Sequence, residues 1–204
     1  MLKDAMTAQP PPEGVLYLGA SMDGFIARPD GGLDFLEVVQ PAPEDGDMGW
    51  SAFLAGLDAI VMGRKTYDQL LTFGVWPYGE LPLLVWSRTL LEPKGPPRPQ
   101  VEVTRAAPAA LFAELGARGC RRVYVDGGAT ARAFMAAGLI VEINLTTLPV
   151  LIGSGISLYG PLAADLRWTL VDCRAFGSGM VRTSYRRIED AVWARGSASQ
   201  DRPV

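Results

Sequence analysis

The chain has 204 residues, 49% hydrophobic and 20% charged, the composition of a globular protein with material for one good core. A net charge of −3 argues against a general nucleic-acid binder, and no apolar run reaches the length of a membrane span. Two cysteines and no histidine argue against a disulfide framework, a histidine-based triad and most zinc sites, so no metal is expected and a bound organic cofactor is the simplest source of reactive power.

The opening "MLKDAMTAQPPPEG" lacks the apolar core of a signal peptide and reads as a leader, residues 1–14. Residues 191–204 read as a polar tail, residues 15–190 as one domain, and a cytoplasmic location follows by default. Residues 15–20 form a predicted buried strand, followed by turn residues in "DGFIARPDGG". Helix-like "WSAFLAGL" leads to a strand at 58–62, then to helix-like "RKTYDQLL" and a third strand, "PLLVWS". "EPKGPPRPQ" cannot be regular structure, because its prolines lack N–H donors; it reads as a surface loop, since the alternation resumes unchanged after it. "VEVT" is a strand, and "APAALFAELGARG" a helix with Gly119 near its end. "RRVYVDGG" is a strand and "ATARAFMAAG" a helix. "VEINLTTLPVL", "LRWTLVDCRAF" and "MVRTSYRRI" are three longer β-type runs. This order predicts an α/β fold: a mainly parallel mixed sheet with flanking helices and C-terminal antiparallel strands. Ligands of such sheets bind beyond the carboxyl ends of the strands.

Three of those ends carry similar chemistry. After residues 59–62 come Gly63, Arg64, Lys65 and Thr66: a glycine that admits a ligand to the main chain, two cations and a hydroxyl at a helix start. After "RRVYV" come Asp126, Gly127, Gly128, Ala129 and Thr130, a double-glycine turn that opens another helix. After "PLLVW" come Ser87, Arg88 and Thr89, with an arginine able to pair with a phosphate. Together they suggest a long, multiply charged ligand, a dinucleotide. The spacing matches neither G-x-G-x-x-G nor a P-loop.

These stretches, with "SMDGFIARPDGGLDFL" and "LPVLIGSGISLYGP", resemble the dihydrofolate reductase-like fold, and more closely the RibD C-terminal domain, the reductase domain of bacterial riboflavin biosynthesis. The resemblance runs in order from about residue 15 to 188 and implies a single three-layer domain, NADPH as cofactor and a homodimer. By that resemblance Gly63, Arg64, Lys65 and Thr66 hold phosphates, and Ser87 and Arg88 flank the adenosine and its 2′-phosphate. Gly127, Gly128, Ala129 and Thr130 cradle the pyrophosphate, while Ala20 and Ile26 border the nicotinamide. The three cations independently favour NADPH over NADH.

The implied activity is hydride transfer to a C=N or C=O carbon of a small heterocyclic or carbonyl substrate. The alternatives are folate reduction or nucleotide binding without redox chemistry. A dihydrofolate reductase would carry a proline–tryptophan pair and a carboxylate on its first helix, whereas this chain has "GGLDFLEVV", with Asp34 and Glu37 on what reads as a helix face. Without histidine or C-x-x-C, the zinc deaminase often fused to the riboflavin enzyme is absent. Asp23, Asp34, Tyr67 or a water are candidate proton sources. Trp50, Phe53 and Trp76 are candidates to line a planar substrate's pocket, or core aromatics.

Overall fold

The computed structural model describes residues 10–188; the expected tail and residues 1–9 of the expected leader lie outside the described residues. In chain order the elements are β1 (Glu13–Ser21), β2 (Phe25–Ala27), α1 (Trp50–Ala55), β3 (Ala59–Gly63), α2 (Arg64–Leu70), β4 (Leu83–Trp86), β5 (Val101–Thr104), α3 (Pro108–Ala117), β6 (Arg122–Asp126), α4 (Gly128–Ala136), β7 (Ile140–Leu148), β8 (Ile156–Ser157), β9 (Trp168–Ala175) and β10 (Val181–Arg187). One sheet has the order β5-β4-β3-β6-β1-β7-β10-β9, and β2 pairs with β8 in a separate ribbon. The strands from β5 across to β7 are parallel; β10 runs antiparallel to β7, and β9 antiparallel to β10.

The apolar run Ala59-Ile60-Val61-Met62 is fully buried because helices cover both faces of β3. Val61, Val123 and Val125 pack with α3 and α4 on one side, while Ile60, Met62 and Tyr124 pack with α1 and α2 on the other. The result is a three-layer single domain. Glycines end the longer helices: Gly119, at φ +90°, lets Cys120 N–H reach the Leu115 carbonyl at 3.0 Å, and Gly138, at φ +72°, lets Leu139 N–H reach Phe134. The proline-rich stretch is a surface loop pinned to the body, with Tyr67 Oη donating to the Lys94 carbonyl at 2.7 Å and Arg98 stacked on Trp76 at 4.2 Å. A bidentate pair from Arg122 to Glu142, 2.7 and 2.9 Å, ties β6 to β7 across β1.

Three local readings need correction. The first strand begins at Glu13, inside the expected leader. "DGFIARPDGG" is more than a turn, because Phe25–Ala27 pairs with Ile156–Ser157. Asp34 and Glu37 lie on a single 3-10 turn, Asp34–Glu37, and not on a helix face. Glycines and prolines around it leave no room for a longer helix.

Candidate functional site

β4, β3, β6 and β1 are consecutive neighbours in the sheet, so the three strand ends share one edge with the end of β1 beside them. Met62 stands opposite Asp126 and Gly63 opposite Trp86, so the chain leaves these strands at one level. With strands spaced about 4.8 Å, the four ends span about 14 Å.

The two glycine turns interlock. A Cβ on Gly127 would lie 2.2 Å from Thr66 Oγ1, and one on Gly63 would lie 2.7 Å from Thr130 Oγ1. Each helix therefore places its own threonine in the space that the other turn leaves empty. Gly127 also has φ +88°, a conformation that L side chains rarely adopt. The N-termini of α2 and α4 thus meet at this edge of the sheet, and the unpaired N–H groups of helix first turns suit an anion.

The cations line the same edge. Arg64 donates from Nη1 to Thr89 Oγ1 at 3.0 Å and from Nε to Asp68 at 3.3 Å, linking the first strand end to the third. Lys65 and Arg88 are exposed and pair with no carboxylate among the described residues. Ser87 Oγ accepts the N–H groups of Thr89 and Leu90, which shapes the loop after β4. Ala129 is exposed on the first turn of α4, and Thr130 is buried behind it.

Ala20 is buried near the carboxyl end of β1, and Ile26 sits on the β2–β8 ribbon. A Cβ on Gly128 would lie 2.7 Å from Ile26 Cδ1, so glycine lets the ribbon settle on this turn. The structure thus brings Ile26, Gly63, Arg64, Thr66, Gly127, Gly128 and Thr130 together, with Lys65, Ser87, Arg88 and Ala129 on the rim.

The candidate proton sources are engaged elsewhere. Asp34 accepts both Arg28 Nε (3.0 Å) and Arg28 Nη2 (2.9 Å), and this guanidinium holds its carboxyl below the usual range. The nearby Ser21 hydroxyl and the N–H groups of Gly153 and Ile152 do the same for Asp23. Both are poor acids at neutral pH. Tyr67 is buried, which raises its hydroxyl, and its proton is committed to the Lys94 carbonyl. Trp50 and Phe53 belong to an aromatic cluster with Tyr17, Tyr78 and Tyr124, with ring centroids 4.5–6.2 Å apart. Trp76 packs edge-on against Tyr78.

Asp126 is the residue that sequence reasoning passed over. It was visible only as the residue before a double glycine. In the fold it ends β6 on the same face as Tyr124, and burial pushes its carboxyl up despite the Gly127 N–H that it accepts at 2.7 Å. This carboxyl sits at the end of β6, one residue before the Gly127–Gly128 turn. Ile156, which meets Gly128 alongside Ile26, was passed over too, because its strand has only two residues.

The RibD C-terminal domain family matches residues 12–182. Two proteins of Bacillus subtilis (strain 168), both uncharacterized, are similar over nearly their whole length. YwjB is 30% identical over 168 residues, 81% of this chain and 93% of its own; YyaP is 28% identical over 185 residues, 84% and 93%. A solved structure from Shewanella sp. PV-4, named for a provisional place in riboflavin biosynthesis, superposes with a TM-score of 0.81 at 32% identity, covering 87% of this chain and 99% of that one. A Thermotoga maritima diaminohydroxyphosphoribosylaminopyrimidine deaminase/5-amino-6-(5-phosphoribosylamino)uracil reductase shares the fold at a TM-score of 0.67 and 13% identity; the match covers 87% of this chain and 57% of that one.

Proposed function

The chain belongs to the RibD C-terminal domain family, and from that premise we propose that it is an NADPH-dependent reductase of a small heterocyclic or carbonyl substrate, similar to the riboflavin-pathway reductases. The observation that carries this reading is the interlocked pair of glycine turns, which brings the N-termini of α2 and α4 together because no Cβ at Gly63, Gly127 or Gly128 holds the packed side chains apart. When bound, NADPH supplies the hydride for a C=N or C=O carbon. Gly63, Thr66, Gly127, Gly128 and Thr130 hold its diphosphate, Arg64, Lys65, Ser87 and Arg88 its adenosine and 2′-phosphate, and Ala20 and Ile26 its nicotinamide end. Asp126, whose carboxyl burial makes harder to ionise, is the residue proposed to supply the proton for the acceptor atom. Orientation and exclusion of water are the rest of the protein's contribution.

Folate reduction is disfavoured, because the nearest candidate carboxylate, Asp34, is taken by Arg28. No helix among the described residues is long and apolar enough to cross a membrane. A homodimer is proposed as well. On β9 and β10, Leu170, Val171 and Val181 are exposed by 53%, 64% and 37%, an apolar surface suited to a second copy.

The test is a titration of purified protein with NADPH, NADH and ATP, read by quenching of tryptophan emission. NADPH should bind tightest. Arg64→Ala should weaken NADPH about ten- to a hundred-fold, the loss of one charge-assisted contact, and NADH less. Equal losses for both would contradict the 2′-phosphate role of Arg64. ATP competing as well as NADPH would favour nucleotide binding without redox chemistry.

A further inference from the structure

Asp23 lies in the turn between β1 and β2, closed by Gly24 N–H donating to the Ser21 carbonyl at 2.9 Å. Its carboxylate accepts the N–H of Gly153 at 2.7 Å and that of Ile152 at 3.2 Å. Both donors belong to the loop between β7 and β8. Met22 N–H adds a second tie to this loop, reaching the Val150 carbonyl at 2.8 Å.

Beyond these ties β2 and β8 pair, with Phe25 opposite Ser157 and Ala27 opposite Ile156. A Cβ on Gly155 would lie 2.4 Å from the Ala27 carbonyl oxygen, so the ribbon closes only around a glycine. Its far side is fastened by Arg132 of α4, whose Nη1 donates to the Ser157 carbonyl at 2.6 Å. The ribbon carries Ile26 and Ile156 onto Gly128; a Cβ there would lie 2.7 and 3.6 Å from their terminal carbons. Strands of three and two residues do not hold themselves in register. Their order depends on what fastens them.

We propose that Asp23 is a positioning residue for the nucleotide groove: its carboxylate fastens the β2–β8 ribbon, so that Ile26 and Ile156 are seated over the Gly127–Gly128 turn before a nucleotide arrives. This rests on the nucleotide reading above. It reassigns Asp23 from acid to anchor, acting through the ribbon and not on the reacting atoms. An ionised carboxylate accepting two N–H groups is a strong anchor. If loss of the anchor leaves the ribbon seated one-tenth of the time, the apparent Kd for the nucleotide rises about ten-fold.

The experiment compares wild type, Asp23→Asn and Asp23→Ala in two ways: NADPH titration, and amide hydrogen exchange without nucleotide over residues 22–27 and 152–157. Asp23→Ala should raise the NADPH Kd about ten-fold and speed exchange in both segments. Asp23→Asn, which keeps one acceptor oxygen, should fall between. Thermal stability should change little, since Asp23 is at the surface. A proton-donor role predicts the opposite, Kd and exchange both unchanged, and that result would overturn the proposal. Unchanged exchange alone would also overturn it. Wild type that fails to bind NADPH refutes the functional reading instead, while the exchange comparison still decides whether Asp23 fastens the ribbon.

Discussion

Replacing Gly127 with alanine attacks the groove at its tightest point. Two costs can be separated. At φ +88° and ψ 136° an alanine is strained by about 1–3 kcal/mol. Its Cβ would also lie 2.2 Å from Thr66 Oγ1, with Thr66 Cβ close behind at 3.3 Å; overpacking of this kind costs about 1–3 kcal/mol. The sum, about 2–6 kcal/mol, lowers Tm by on the order of 10 °C for a domain of this size. Gly63→Ala differs in kind. Its φ of −74° suits alanine, and Thr130 Oγ1 is the one atom within 4 Å of the new Cβ. Thr130→Ala should therefore remove nearly the whole cost of Gly63→Ala, whereas Thr66→Ala should remove only the steric part of Gly127→Ala. The two double-mutant cycles, measured by thermal unfolding followed by circular dichroism, should each show a coupling of about 1–3 kcal/mol. Additive effects in both cycles would mean that the turns do not touch, and the groove would go with them.

Other perturbations separate fold from chemistry. Glu142→Gln leaves Arg122 half-buried without its charge partner and should cost about 1–3 kcal/mol in urea unfolding. Burial opposes ionisation of Glu142, but Arg122 and Asn144 outweigh it and hold the carboxyl below its usual range. That stabilisation is present above the unfolded-state pKa, about 4.3, and is lost as pH falls through the lower folded value, so the Tm gap between wild type and variant should close in acid. Asp126 has the opposite sign. Its folded pKa is raised, so the charge becomes a burden as pH climbs from about 4 through the folded value. Asp126→Asn should unfold at the same or a higher temperature than wild type at pH 8, match it below pH 4, and lose turnover; a lower Tm at pH 8 would contradict the burial argument. Light scattering should find wild type at the mass of the proposed dimer and Leu170→Lys at that of a monomer; equal masses for the two would contradict self-association through β9 and β10.

Much of the parallel half of the sheet was legible because strands covered on both faces read as short apolar runs, β3 stopped by Gly63 and β6 by Asp126 and two glycines. β2 and β8 were not legible: three and two residues are too few to show an alternation, and their partners are separated by most of the chain. The strand ends could be read as turn chemistry, since glycine, cation and hydroxyl say what a helix start can hold. Nothing in the order of residues says that Thr66 fills the space above Gly127, or Thr130 the space above Gly63. Asp34 looked available because Arg28 is invisible as its partner until the intervening glycines fold the chain back. Asp126 shows the same limit in reverse, since depth decides its acidity and depth is a property of the whole sheet.

The reciprocal seating of threonine over glycine has a kinetic consequence. The contacting residues are about sixty positions apart, and neither turn meets its steric partner until both βα units have docked on the central strands. The groove is therefore a late product of folding, made by long-range closure and not by either unit alone. A fragment carrying one unit would have a turn but no receptor for an anion. A ligand held between both turns would tie two distant stretches of chain together, so unfolding should slow as its concentration rises.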